Sequence, residues 1–456
     1  MIETALTRLA HFVAEDALTP DQATMTVLRD GVIDTLGCMV VGAKTEVAQL
    51  SVSAVTQMGG DRPCRVVRTP NHVSRPHAAF LNAVAGHALD FDDWEVPGNT
   101  HPTVVLVPAL LAVADAQTSG RDLARAYLAG FEVIARLGES LNFEHYDAGW
   151  HSTATLGAIG VAAGCARLLG LDVSGTTRAM SLACSAATGY TCQFGSHAKP
   201  VQAGFAARSG VEAAYLAAAG LSAQPHVLDH PRGFAALMGG FDPNHLSKVL
   251  SKLGQPYALS EHGLVLKPWP SCGYTHRVMT CALAMRERIQ PDDIAHVVLH
   301  MPDFHAAVLP YGSPKSRSEA LFSAPFVAAI GLLQGNLTLA DLDRKAWQSP
   351  EIARLMARCE LRPFRPKRPD MNYSPEDPDR MEVILRSERR HEERCVYPIG
   401  APEAPMSQHS VMAKFKANLG QISEDDERQM DWLGKIQDWP NAPSILDLFF
   451  KEGVTA

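Results

Sequence analysis

Five ionisable side chains crowd one short stretch of this chain. His87-Ala-Leu-Asp-Phe-Asp-Asp93, followed by Thr100-His101-Pro102, sets three carboxylates and two imidazoles between apolar runs. Proton transfer and metal ligation both use groups that exchange protons or offer lone pairs near neutral pH. An acidic loop with two incidental histidines has the same composition. A hard-cation loop spaces its oxygen ligands regularly, and no such spacing is present, so no metal is expected. His101 stands just before a proline at a helix start, where free N–H groups and the helix dipole favour an anion.

Three further segments carry candidate chemistry. In Gly149-Trp-His151-Ser152-Thr153, Ser152 or Thr153 can cap a long small-residue helix and set His151 at its electropositive mouth. A neutral imidazole is favoured there and can act as a base, although a histidine merely hydrogen-bonded at a helix entrance reads the same way. His197-Ala-Lys199-Pro200 repeats the arrangement, with Pro200 suited to the first turn. Lys199 is then a carboxylate clamp, or an exposed lysine of no consequence. Leu266-Lys267-Pro-Trp-Pro-Ser-Cys272-Gly-Tyr274-Thr-His276 is a rigid turn of the kind that holds site residues. Within it Cys272 and His276 are a candidate nucleophile pair, set against the plainer reading of a packed cysteine.

The elements that must position these groups change character along the chain. Up to about residue 260, apolar residues recur at three and four positions in Ala-, Leu- and Gly-rich segments, which predicts packed helices. The clearest are 104–116, 123–137, 154–169, 177–187 and 201–219, and their small residues predict close helix approach. Past Pro268 the chain reads as α+β. Helices are expected at 275–289, 323–334 and 350–357, with short β-branched strands at 295–301 and 381–385. A Pro-rich loop at 398–405 leads to a helical segment at 410–417 that rejoins the first bundle.

Bulk properties narrow the function. A chain of 456 residues suits two domains, and 46% hydrophobic with 20% charged residues is a folded globular composition. A net charge of −8 argues against a nucleic-acid partner. The one basic cluster, 362–368, is interrupted by prolines and reads as a solvated loop. Nine scattered cysteines without a CxxC pair give neither a zinc site nor a disulfide framework. With no signal-peptide pattern and no long apolar run, a cytoplasmic protein without membrane contact is expected.

Together the four segments resemble the MmgE/PrpD family, which includes dehydratases, decarboxylases and epimerases of small polycarboxylates: 2-methylcitrate, cis-aconitate and iminodisuccinate. Arg232-Gly-Phe234 and Glu319-Ala-Leu-Phe-Ser-Ala-Pro-Phe326 extend the resemblance to roughly residues 5–420. It implies a mainly α fold, with a large all-helical domain (1–262 with 405–456) and a smaller α+β lid (263–404). It further implies an active site between the two, no cofactor, a di- or tricarboxylate substrate and usually a homodimer. Carried over by motif, the catalytic set is Asp90, His101, His151, Lys199 and Lys267, with Trp94, Thr153, Tyr274 and Phe326 as substrate contacts. Trp94 stands where the decarboxylase has threonine, Phe326 where it has tyrosine, and the loop to His101 is one residue longer. Those departures weigh against a decarboxylase.

The three reactions share a carbanion stabilised by an adjacent carboxylate. Lys199 and Lys267 would hold the enolate charge and His101 or His151 would move protons, with Asp90 tuning a histidine or acting as base. Asp92 and Asp93 are read as structural. The expected activity is a lyase dehydrating a methylcitrate-like substrate. The alternatives are an imino- or amino-dicarboxylate epimerase, a cis-aconitate decarboxylase, or a carboxylate-binding protein that kept the fold without turnover.

Overall fold

A computed structural model describes residues 3–58, 64–69, 72–420 and 427–451. The protein is mainly α. Its centre is the helix Pro102–Val113, buried on every face and wrapped by Arg75–His87, Gly120–Asp147, Ser152–Leu168 and Ala198–Ala218. Small residues set the spacing of these helices. A Cβ on Gly160 would lie 2.7 Å from Gly130 O, so Gly120–Asp147 and Ser152–Leu168 touch backbone to backbone. Likewise, a Cβ on Gly138 would come within 2.5 Å of Gly98 Cα, which seats the loop leading to His101 directly on the long helix.

Two helices are longer than their apolar periodicity predicts. Gly120–Asp147 begins at a Ser119/Asp122 capping box and runs ten residues past 137 through polar positions. In that tail Glu139 pairs across the fold with Lys252 at 2.9 Å and, within the helix, with buried Arg136 at 2.9 Å, which also binds Glu132 at 2.9 Å and Glu261 at 2.7 Å. Val173–Ala186 starts a turn before 177 because the Asp172 carboxylate accepts from Gly175 N. A two-stranded ladder, Cys64–Arg65 with His72–Val73, interrupts the helical half where only helices were expected. After the α+β region, Gln408–Leu419 returns to pack on Gln22–Gly42.

The second region holds a four-stranded sheet in the order Cys359–Phe364, Ile294–Pro302, Asp379–Leu385, Arg390–Cys395. The first pair is parallel and the other two are antiparallel. The two strands expected from sequence are the central ones, where Val297, Leu299, Met381 and Val383 are buried. The two that periodicity missed are the edges. Cys359–Phe364 contains Pro363 and claims part of the basic cluster expected to be a loop, while Arg390–Cys395 is almost wholly charged. Edge strands tolerate proline and charge because one side makes no ladder. Helix His276–Arg286 packs on the Asp379–Leu385 and Arg390–Cys395 strands, and Ala324–Gln334 covers Cys359–Phe364.

Buried apolar residues form two main clusters. One joins the N-terminal helices to the C-terminal segment, from Ala5 to Leu266 and from Val411 to Phe450. The other runs from Val265 to Ala401 and also takes in Trp94, Tyr146 and Phe194 from the helical half. Those three aromatic residues mark the seam between the cores. Among the described residues no helix is long and apolar enough to cross a membrane.

Candidate active site

The four motif segments meet at that seam around one cavity. From the helical half come Asp90, Trp94, Asn99, His101, Tyr146, His151, Phe194 and Lys199; from the other side come Cys272, Gly273, Tyr274 and Phe322. Its free volume is about 30 Å³, on the order of one water molecule.

Three helix N-termini converge here. His101 is the N-cap of Pro102–Val113, His151 the N-cap of Ser152–Leu168, and Lys199 lies in the first turn of Ala198–Ala218. Neither histidine side chain caps its own helix, so the partial positive charge of those turns is left for an anion. His151, rather than Ser152 or Thr153, is the cap. Thr153 instead turns its Oγ1 to accept from His101 N at 3.0 Å, joining the two helix mouths.

Asp90 organises the cations. Lys199 Nζ donates to Asp90 Oδ1 at 2.7 Å, and Lys267 Nζ donates to the same oxygen at 3.0 Å and to Asp90 O at 2.9 Å. All three side chains are buried. Burial works against the Asp90 charge, but the two ammonium groups hold its carboxyl well below the usual carboxylate range. Burial likewise opposes the Lys267 charge, and Asp90 with Asp92 outweighs it. The Asp90 backbone has φ 48°, a left-handed conformation rare outside glycine. Such a residue costs about 1–3 kcal/mol and persists where its surroundings over-determine it, as two lysines do here. Lys199 is therefore neither exposed nor unpaired, and the anion beside it is part of the protein.

The histidines present bare nitrogens. His151 Nδ1 donates to Gln202 Oε1 at 2.6 Å, the Gln202 amide being oriented by its own donation to Tyr190 O at 3.2 Å. His151 Nε2 is buried without a partner. Burial, with Lys199 and His87 adding, holds this ring well below its ordinary value, so it is a neutral base at neutral pH. His101 Nδ1 donates to Asp93 O at 2.8 Å and lies 3.1 Å from Asp92 Oδ2. Its Nε2 is 3.7 Å from Asp90 Oδ1, too far for a hydrogen bond. Burial brings His101 down to about 3 against the pull of Asp92.

Tyr274 donates its hydroxyl into an Asn99/Asn372 pair, with both amide oxygens at 3.0 Å. Trp94 packs edge-on against Tyr274, and its indole N–H is buried without an acceptor. Glu95 is a loop organiser, accepting from Gly98 N and from the Thr100 hydroxyl. Beneath the acidic loop, Lys414 donates to Asp34 Oδ1 and Phe91 O, each at 2.7 Å, fixing the loop from the C-terminal helix.

The sequence-predicted residues thus fall into two groups. Asp90, His101, His151, Lys199, Trp94 and Tyr274 line the cavity, whereas Lys267 and Thr153 stand behind it holding Asp90 and His101. Phe326 is not at the cavity. It is fully buried in the second core, edge-on to Trp347, and Phe322, just before the start of its helix, reaches the cavity instead. Cys272 is a wall residue whose thiol burial pushes up to about 11, and His276 turns to Ser271 O, so no nucleophile pair forms. His87, Asp90, Asp92 and His101 offer ligand atoms within 4.8 Å of one another. Two lysines already occupy Asp90 Oδ1, placing positive charge beside that group.

Models of the MmgE/PrpD N-terminal and C-terminal domains match residues 7–246 and 269–435 of this chain, together most of its length. The chain belongs to the MmgE/PrpD family. Among its relatives, the cis-aconitate decarboxylases of Mus musculus and Homo sapiens are each 29% identical over 408 residues. The match covers 86% of this chain and 81% and 82% of those proteins. Cis-aconitate decarboxylase of Aspergillus terreus is 24% identical over 420 residues, covering 86% of this chain and 84% of that protein. In this MmgE/PrpD chain the cavity residues that motif reading passed over are Asn99, Tyr146, Phe194, Gly273 and Phe322. Phe322 lies inside a quoted motif; Tyr146 and Phe194 carry no local signal, since only tertiary packing brings them to the seam.

Proposed function

We propose that this protein is a cofactor-independent lyase that decarboxylates a small tricarboxylate of the cis-aconitate type through a carboxylate-stabilised carbanion. The observation that carries this reading is the Lys199–Asp90–Lys267 cluster beside the bare Nε2 of His151 and the free Nε2 of His101, where three helix N-termini converge. Lys199 at the cavity wall, with the helix N-termini beside it, receives a substrate carboxylate. Loss of carbon dioxide places an electron pair on carbon, delocalised into the adjacent carboxylate, and Lys199 meets the charge that develops. His101 or His151 then moves the proton, for a gain of about 10² to 10⁴. The names of the relatives support decarboxylation over the dehydration favoured by sequence reading.

Dehydration of a hydroxy-tricarboxylate remains the second reading, favoured by one feature. The unpaired Trp94 indole N–H in the cavity wall is a donor suited to a hydroxyl oxygen. We also propose that residues 263–404 act as a lid over residues 1–262 with 405–456. Two separate cores and a cavity of about 30 Å³ support this, since a tricarboxylate enters only if the seam opens.

Incubation with cis-aconitate, 2-methylcitrate and iminodisuccinate, followed by NMR in D₂O, separates the readings. Carbon dioxide release with deuterium incorporation is expected from cis-aconitate. New alkene signals from 2-methylcitrate would shift the reading to dehydration, and exchange without a change of constitution to epimerisation. Binding of all three without turnover would remove the enzyme reading for these substrates.

A further inference from the structure

Asp92 does not line the cavity, yet it is the hub of the histidine cluster. Its side chain is fully buried, and its two oxygens lie 3.0 and 2.9 Å from His87 Nδ1, while Oδ2 lies 3.1 Å from His101 Nδ1. Carboxylate and carbonyl oxygens only accept, so His87 donates Nδ1–H to Asp92 and His101 donates Nδ1–H to Asp93 O with Asp92 Oδ2 beside it as an ion-pair partner, and both rings carry their lone pairs on Nε2. His87 is itself fully enclosed, packs edge-on to His101 at 4.5 Å between centroids and stacks near His151 at 6.1 Å. Its Nε2 has no partner. One buried anion is therefore shared between a histidine that faces the cavity and one that does not.

We propose that Asp92 is a positioning residue that holds a buried negative charge against His101, with His87 as the second donor that keeps the carboxylate ionised and aimed. This rests on the proton-transfer role given to His101 above. When His101 Nε2 takes up the proton that it will deliver to the carbanion left by loss of carbon dioxide, the ring becomes an imidazolium, and on delivery the N–H bond breaks and the carbon's electron pair forms the new C–H bond. Nδ1–H remains on the ring, and Asp92 meets the new charge without taking the proton, as the aspartate does in a Ser-His-Asp triad. Asp93 O, 2.8 Å from the same Nδ1, fixes the tautomer; the carboxylate adds what a neutral carbonyl cannot supply. His87 keeps Asp92 from becoming a protonated acid, the fate of its neighbour Asp93. Burial pushes the Asp93 carboxyl well up, with Asp34 and Asp92 adding to it.

Asp92→Asn tests the idea, because an amide has nearly the same shape but offers one neutral oxygen to two N–H donors. The expected result is a fall in kcat on the order of 10² to 10⁴ with little change in KM. The deshielded Nδ1–H proton resonance of His101, assigned by its loss in His101→Gln, should move upfield in Asp92→Asn. A purely structural aspartate would not move that resonance in folded protein. His87→Leu and His87→Gln form a second arm: the leucine variant should lose activity, and the glutamine variant, whose amide can still donate, should recover most of it. A kcat for Asp92→Asn within tenfold of the parent, or an unmoved resonance, overturns the proposal. If Asp92→Asn does not fold, equal activity in both His87 variants and the parent overturns it. The resonance needs no substrate. Were it to move while none of the three polycarboxylates reacted, the assigned reaction would fail and the shared carboxylate would stand.

Discussion

Replacing Lys199 with methionine removes one charge at nearly constant volume and tests the electrostatic core of the mechanism. In the Asp90 cluster two lysines face one aspartate, a formal sum of +1; without Lys199 the sum is zero. A unit charge about 4 Å from a developing enolate, at an effective dielectric of about 20, interacts by about 4 kcal/mol. At about 1.4 kcal/mol per decade that is on the order of 10³ in kcat/KM. The loss should fall largely on kcat, because the enolate charge exists only beyond the ground state. Stability should fall too, contrary to what an exposed helix-mouth lysine would imply. Breaking a buried pair costs about 3–5 kcal/mol when the partner is stranded, and here Asp90 keeps Lys267 at 3.0 Å, which places the loss toward the lower end. NMR time courses give kcat and KM, and thermal melts give the stability change. A loss of less than tenfold in kcat/KM, or a loss confined to KM, would refute the assignment of Lys199 to the developing charge.

Other outcomes follow from the same geometry. Burial holds His145 down to about 4 and His101 and His276 down to about 3, below the ordinary value of about 6.5. The folded state therefore binds fewer protons than the unfolded chain between those limits. This contribution to stability is complete above pH about 6.5 and is lost as pH falls through that window. Melting temperature should drop on acidification, and His145→Gln should flatten the slope; a profile level from neutral pH to the unfolding limit would contradict it. Cys272→Ser should retain most activity, since the thiol is protonated and unpaired with His276; complete inactivation with normal folding would restore a thiol mechanism. Phe326→Tyr should leave substrate preference unchanged and lower stability by about 1–3 kcal/mol through a buried hydroxyl; a change in preference at unchanged stability would return residue 326 to the cavity.

Much of the fold was legible where burial is continuous. The central strands, the fully buried Pro102–Val113 helix and the small-residue Ser152–Leu168 helix all announce themselves by apolar content. The edge strands and the polar tail of Gly120–Asp147 do not, because their stability comes from partners distant in sequence, such as Lys252 for Glu139. The site divides in the same way. His101, His151 and Lys199 were marked by their places at helix starts, a local property. Phe326 was misplaced because a motif match says nothing about which helix face meets the cavity.

The sequence by itself determined which chemistry is available: a set of histidines, lysines and carboxylates at helix mouths, in the motif order of one family. Tertiary structure alone decided how those charges are divided. It gave Lys199 and Lys267 to one oxygen of Asp90, turned Asp92 from a structural acid into the shared partner of His87 and His101, and moved Lys267 behind the cavity. The physical reason is that helix caps and periodicity depend on neighbours a few residues apart, which a sequence displays. Charge pairing, in contrast, depends on where the packed chain aims each side chain: Asp90 meets lysines 109 and 177 positions away, and even the nearby His87 and His101 reach Asp92 only as the loop folds.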